Sequence, residues 1–119
     1  MSVNMATTDR TPLHERRCVV CKPGSPHLSS AEVERLLGQV QGWKVEEDDG
    51  HLRLVKVFKF KGFMPGVELL NKIAPVAEAE QHHPDVLVSW GSLTVWLWTH
   101  AAGGLTENDF ILAAKIDRL

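Results

Sequence analysis

The hydrophobic period of this chain changes several times, and each change marks a predicted element. Val33, Leu36, Leu37 and Val40 recur at i, i+3, i+4 and i+7, which places them on one face of a helix. Ser29 with Glu32 forms a capping box and Leu28 can staple to the first turn, so the spacing predicts a helix over 30–41 that ends near Gly42. Residues 43–45 read as a short extended piece and 46–50 as an acidic turn. The run 51–61 is rich in β-branched and aromatic residues, with Leu52, Leu54, Phe58 and Phe60 on one face, which predicts a hairpin. Helical spacing returns over 63–81 through Val67, Leu70, Ile73, Ala74 and Ala77. Pro75 lies inside that second helix, where a missing N–H and a ring clash cost about 3 kcal/mol, so a kink is expected there.

Two more β-prone runs, 86–90 and 92–99, are joined across Gly91. In the second, Leu93, Val95 and Leu97 alternate with Thr94, Trp96 and Trp98. After Gly103 and Gly104, Thr106 with Asp109 supplies an N-cap pair for a last helix carrying Phe110, Ile111, Ala113, Ala114 and Ile116. The order αββαββα, with its strands in hairpins, excludes an all-parallel sheet. It predicts an α+β two-layer sandwich, a four-stranded antiparallel sheet with three helices on one face. Both faces of the last strand carry apolar bulk, so part of the outer face is expected to meet a partner or a ligand. Residues 1–27 show neither period and are punctuated by Pro12, Pro23, Gly24 and Pro26, so they read as an irregular, partly mobile arm ahead of a 28–119 domain.

Composition narrows the function without naming it. At 119 residues, 44% hydrophobic and 24% charged, the chain is suited to one compact domain. Its net charge of −2 offers no field that would attract nucleic acid or an acidic membrane. No apolar run approaches the roughly 20 residues of a bilayer span, and no secretory signal is visible in the first dozen residues, so the expected compartment is the cytosol. In that setting Cys18 and Cys21 are not expected to form a structural disulfide.

The candidate chemistry lies in the histidines, of which there are six. His82 and His83 close the second helix and His100 leaves the last strand, and element ends are where functional side chains are usually presented. Imidazoles that titrate near neutrality suit proton transfer on a small molecule. A cap at the helix C-terminus is the plainer explanation of His82 and His83. A three-histidine metal site is a minor alternative, because adjacent helical residues point about 100° apart. Asp109 is equally well explained as a helix cap. His14, Cys18, Cys21 and His27 are four possible zinc ligands, but a lone C-x-x-C is a weak signal. Trp90, Trp96 and Trp98 could wall a heteroaromatic ligand, although strand aromatics are most often packing. No H-E-x-x-H, G-x-S-x-G or P-loop pattern occurs.

Taken together, these residues resemble the pterin-4a-carbinolamine dehydratase family. Glu78 is followed after three residues by His82, His83 and Pro84; five residues separate Pro84 from Trp90, nine separate Trp90 from His100, and eight separate His100 from Asp109. The resemblance extends more weakly over 28–119, and bacterial members often open with a similar C-x-x-C. Pro75 departs from the family's usual uninterrupted helix.

The resemblance implies dehydration of a 4a-hydroxytetrahydropterin to the quinonoid dihydropterin by histidine acid–base catalysis, with no metal and no cofactor. It implies His82 as leading general acid, His100 as its complement, His83 as a positioning or relay group and Asp109 in support. Gln81, His82 and His83, and Trp98, Thr99, His100 and Ala101, would line the pterin pocket together with the motif residues Glu78 and Trp90. The implied partners are the pterin itself, further copies in a homodimer or tetramer, and a possible aromatic amino-acid hydroxylase. Relatives of this fold also act as dimerisation or assembly cofactors without dehydratase activity, and fold alone does not separate the two readings.

Overall fold

The computed structural model describes residues 10–119, so the first nine residues of the expected arm lie outside it. Three helices, α1 (Ser30–Leu37), α2 (Met64–Glu80) and α3 (Glu107–Ile116), alternate with two pairs of strands: β1 (Lys44–Asp48) with β2 (His51–Lys59), and β3 (Asp85–Ser89) with β4 (Ser92–Leu97). The sheet is antiparallel throughout, in the order β1-β2-β4-β3. Leu54 of β2 and Leu93, Val95 and Leu97 of β4 are fully buried against Val33 and Leu36 of α1, Ile73 of α2, and Phe110 and Leu112 of α3. The helices therefore cover one face of the sheet, the α+β architecture that the periodicity predicts.

Local chemistry accounts for the element boundaries, including those that differ from expectation. The Ser29 and Glu32 box is formed, with the Ser29 N–H donating to Glu32 at 3.0 Å. α1 stops at Leu37 rather than running to 41, because Gly38 lowers helix propensity and the chain tightens into i→i−3 bonds from Gln39 and Val40. Val40 is nevertheless buried, so the periodicity reported its packing and not its conformation. The expected acidic turn is mostly strand. Glu46 and Glu47 belong to β1, where Glu46 faces Arg53 and bonds it at 2.6 Å, and the reversal is confined to Asp49 and Gly50. Both have positive φ, +50° and +84°, as a two-residue hairpin turn requires. Pro75 does not interrupt α2; it and Asn71, whose carbonyl loses its N–H partner, both face solvent, where water can take the bond.

The segment expected to be a loose arm is fastened down over its described length. It is irregular apart from a 3₁₀ turn at Leu13–Glu15, whose Leu13 is buried. The Cys18 N–H donates to Glu80 at 2.8 Å, Lys115 donates to the His14 carbonyl at 3.0 Å, and Gly24 N–H donates to the Ala101 carbonyl at 3.0 Å. Arg16 bridges to Glu107 at 3.3 Å. Among the described residues no helix is long and apolar enough to cross a membrane.

Candidate active site

The site begins with the way α2 ends. Gln81 adopts the left-handed conformation (φ +53°, ψ +38°), its N–H returns to the Glu78 carbonyl at 3.2 Å, and the His82 N–H reaches the Ala77 carbonyl at 3.2 Å. This paired closure is a Schellman motif, and it turns the chain sharply at the first histidine. His82 and His83 consequently diverge. His82 points inward, with only 11% of its side chain exposed, and its Nε2 lies 2.6 Å from Asp109 Oδ1. His83 points outward and pairs with Glu78 at 2.5 Å, both side chains being largely exposed.

Asp109 makes the contacts that both of the readings left competing by the sequence call for: a cap bond and a bond to His82. Its Oδ2 accepts the Thr106 N–H at 2.9 Å, the helix-capping bond, and the Thr99 hydroxyl at 2.9 Å. Its Oδ1 is left for His82. The carboxylate is wholly buried, and Thr99 and Thr106 bond each other at 2.8 Å beneath it. A buried carboxylate facing an imidazole nitrogen fixes which nitrogen carries the proton when the ring is neutral. The remaining nitrogen, Nδ1, is then the one free to meet a ligand.

His100 arrives from the opposite side. β4 ends at Leu97, Thr99 and Gly104 bridge to each other, and a 3₁₀ turn at His100–Ala102 lifts the imidazole to the surface. Its ring stacks on Trp98 at 3.8 Å, and His51 stacks on the other indole face at 3.6 Å. Between these walls lies a cleft of about 360 Å³, within the range of small-ligand sites. It is lined by Gln81, His82, His83, Trp98, Thr99, His100 and Ala101 from the expected set, and by Pro84 and Asp85.

Two expected residues lie elsewhere. Trp90 is 77% exposed in the β3–β4 turn, at the far end of that hairpin from Asp85 and Trp98, and does not line the cleft. Glu78 reaches the site only through His83. Trp96 also falls outside it, on the outer sheet face with Arg53 5.1 Å over its ring. Besides Pro84 and Asp85, which directly follow the histidine pair, four more lining residues were missed: Val19, Val20 and Cys21 of the arm, and Asn108 of α3. Nothing local in the sequence marks them, because the arm is bound by contacts distant along the chain. His51 was missed too. The β2–β4 register, Leu54 opposite Leu97, extrapolates to His51 opposite His100, so only the strand pairing could have revealed it.

Among the described residues no three His, Cys, Asp or Glu side chains come together as a metal site. His14, Cys18, Cys21 and His27 do not converge; Cys18 turns its thiol to the Asn108 carbonyl at 3.6 Å, and His27 Nδ1 lies 3.0 Å from the Leu28 carbonyl. Burial, followed by the negative charges of Glu80 and Asp109, pushes the Cys18 thiol up to about 12.

The fold and cleft define a small α+β protein with a ligand-sized cleft between imidazoles, one of them tied to a buried carboxylate. The model of the family described as pterin 4 alpha carbinolamine dehydratase matches residues 26–119, and the chain belongs to that family. Proteins named putative pterin-4-alpha-carbinolamine dehydratase are similar to it: one from Rickettsia bellii is 48% identical, with 90% of this chain and 93% of that protein aligned. Another from Rubrobacter xylanophilus is 44% identical, with 90% and 97% aligned. A crystal structure described as a transcriptional coactivator/pterin dehydratase from Brucella melitensis superposes with a TM-score of 0.69 at 30% identity, covering 77% of this chain and 96% of that one.

Proposed function

We propose that the cleft dehydrates a 4a-hydroxytetrahydropterin to the quinonoid dihydropterin. The C4a–O bond breaks as the leaving hydroxyl takes a proton, N5 loses its own proton, a C4a=N5 double bond forms, and water departs. The reaction is redox-neutral and needs one acid and one base on the two sides of a flat ring. His82, held through Nε2 by Asp109, is the general acid. His100, backed by Trp98, takes the N5 proton, and His83 with Glu78 positions the ring or relays protons at the mouth. Acid–base chemistry by these groups accounts for the whole step without a metal.

The observation that carries this reading is the 2.6 Å contact between His82 and the buried Asp109 at the wall of a cleft that also holds His83 and His100. A helix cap alone has no need of that second carboxylate contact. The test is a dehydration assay on synthetic 4a-hydroxytetrahydropterin with wild type, His82→Ala and His100→Ala, each before and after chelator. Each substitution is expected to lower kcat by about 10²- to 10⁴-fold, with wild-type activity indifferent to chelator. Wild-type rates in both variants would refute the assignment, and loss on chelation would return the three-histidine metal site.

A second, assembly role is favoured by the similarity to the Brucella protein, which is described as a transcriptional coactivator. β3 is an edge strand bearing Leu87, 53% exposed, and through such an edge the chain would self-associate as a homodimer or tetramer.

A further inference from the structure

The cleft has a wall that the family match does not include. Val19, Val20 and Cys21 line it, yet the matched region begins at residue 26. This wall is held by a built anchor. The Asn108 side chain, in a residue only 4% exposed, accepts the Val19 N–H at 3.0 Å and donates to the Val19 carbonyl at 2.5 Å, the pairing one strand would make with another. The same amide approaches Cys21 Sγ at 3.6 Å. One residue before the clamped Val19, the Cys18 N–H donates to Glu80, whose side chain is nearly buried and is bridged by Arg17 and Lys115 at 3.4 and 3.5 Å. Farther along, Gly24 is tied to Ala101, a residue of the opposite wall.

Anchoring of this kind has a consequence for the side chains it carries. Val19 and Val20 are 70% and 76% exposed, an unusual state for two adjacent valines, and both face the cleft mouth. Apart from Pro84 and Ala101, the rest of the cleft is lined by imidazole, amide, carboxylate, hydroxyl and indole groups, so Val19 and Val20 supply most of its aliphatic surface.

We infer that the Val19–Cys21 segment, clamped by Asn108, is a substrate-binding wall that covers the exposed flank of the bound pterin and sets affinity, not the chemical step. This rests on the pterin reading of the cleft. Asn108 acts as a positioning residue through the arm, while the adjacent Asp109 acts on His82, so neighbouring residues of one helical turn place two different walls.

Cys21 gives the test a readout besides activity. On the intact chain, iodoacetamide labelling is followed residue by residue with and without 7,8-dihydrobiopterin, which lacks the 4a-hydroxyl and cannot turn over. Bound pterin is expected to slow labelling at Cys21 at least five-fold, roughly the protection given by a ligand at several times its Kd. Cys18, whose thiol resists ionisation, serves as the internal reference. In parallel, the double variant Val19→Ser, Val20→Ser is expected to raise KM about ten-fold with kcat within about two-fold, the pattern of lost uniform binding. Because both valines are exposed, this variant folds independently of whether Asn108→Ala does. Asn108→Ala is expected to reproduce the KM effect and to expose Cys21 to labelling. Unprotected Cys21 and an unchanged KM in an enzyme that turns over would overturn the wall and leave the dehydratase reading standing. A protected Cys21 in a wild-type chain that turns nothing over would uphold the wall and refute the catalysis.

Discussion

Replacing Asp109 with Asn tests the centre of the mechanism while changing almost no volume. In the wild-type chain the carboxylate accepts three bonds, from His82 at 2.6 Å, Thr99 at 2.9 Å and the Thr106 N–H at 2.9 Å. An asparagine can place its oxygen where Oδ2 stands and keep the last two bonds as neutral ones, but it must then present an NH₂ to His82 Nε2. Bonds to a charged acceptor contribute about 1.5–3 kcal/mol and neutral ones about 0.5–1.5, so the expected loss over the three is roughly 2–4 kcal/mol. At about 4 °C per kcal/mol for a chain of this size, Tm should fall by roughly 8–16 °C. The His82 ring must also move its proton from Nε2 to Nδ1, and it loses the carboxylate that holds it in place. We therefore expect kcat to fall by about 10²- to 10⁴-fold. Thermal melts, ¹⁵N imidazole spectra and the dehydration assay read the three effects separately. Thr106→Val is the control: it removes a hydroxyl from the same buried cluster but keeps the Thr106 N–H on Asp109, so it should lower Tm while leaving the His82 tautomer in place. An Asp109→Asn chain that keeps its proton on Nε2 and turns over at the wild-type rate would refute the reasoning.

Acid should loosen the arm before it unfolds the domain. Burial raises the affinity of the Glu80 carboxyl for its proton, but the bond from the Cys18 N–H and the charges of Lys115 and Arg17 together outweigh it, leaving the group below the ordinary carboxylate range. A carboxylate lowered in the folded state adds stability that is present above its unfolded value, about 4.3, and is lost as pH falls through the lower folded one. The protection factor of the Cys18 amide, its exchange measured against the intrinsic rate at each pH, should therefore fall across that window, and Glu80→Gln should flatten the dependence; an acid profile identical in the variant would rule out Glu80 as the latch. Self-association through β3 is checked by sedimentation: Leu87→Lys should shift the chain toward monomer, whereas a wild type that is already monomeric at assay concentration removes the edge proposal.

Periodicity carried the fold well because the core obeys it. Leu93, Val95 and Leu97 alternate in sequence and are buried in space, and Val33 and Leu36 sit on the inward side of α1. What failed was conformation at glycines and charges: Val40 packs as a helical residue would but lies beyond the helix, and Glu46 sits in a strand because Arg53 across the ladder answers its charge. In the site, the motif behind the family resemblance named His82, His83 and His100, which the structure brings to one cleft, Asp109, which it sets against His82, and Trp90, which it sets at the other end of the β3–β4 hairpin, since a fixed interval does not say which end of a hairpin a residue occupies. Nor could it say that the two adjacent histidines part company. That depends on Gln81 taking a left-handed conformation usually given to glycine, which no residue type in the sequence advertises. The arm was illegible for a different reason: each of its anchors, from Cys18 to Glu80 and from Val19 to Asn108, closes a loop of more than half the chain.

The distribution of buried polar groups ties these points together. Among the described residues, the buried polar side chains are Thr99, Thr106, Asn108 and Asp109, and all four gather where β4 meets the start of α3. Burying such groups costs stability unless each finds a partner, and here each does. The partners come from four separate stretches: the end of β4, the helix cap, the arm at Val19, and His82 at the end of α2. A hydrophobic core of the same size would hold these stretches together but would not fix their rotation or register, because apolar packing is indifferent to direction. Hydrogen bonds are not. The capped turn of α3 therefore acts as a template whose geometry is copied into the cleft, Asp109 orienting the imidazole and Asn108 the arm. Because Asn108 and Asp109 are consecutive on one helix, their directions are locked about 100° apart, and a disturbance of the Thr106 cap is felt by both walls at once.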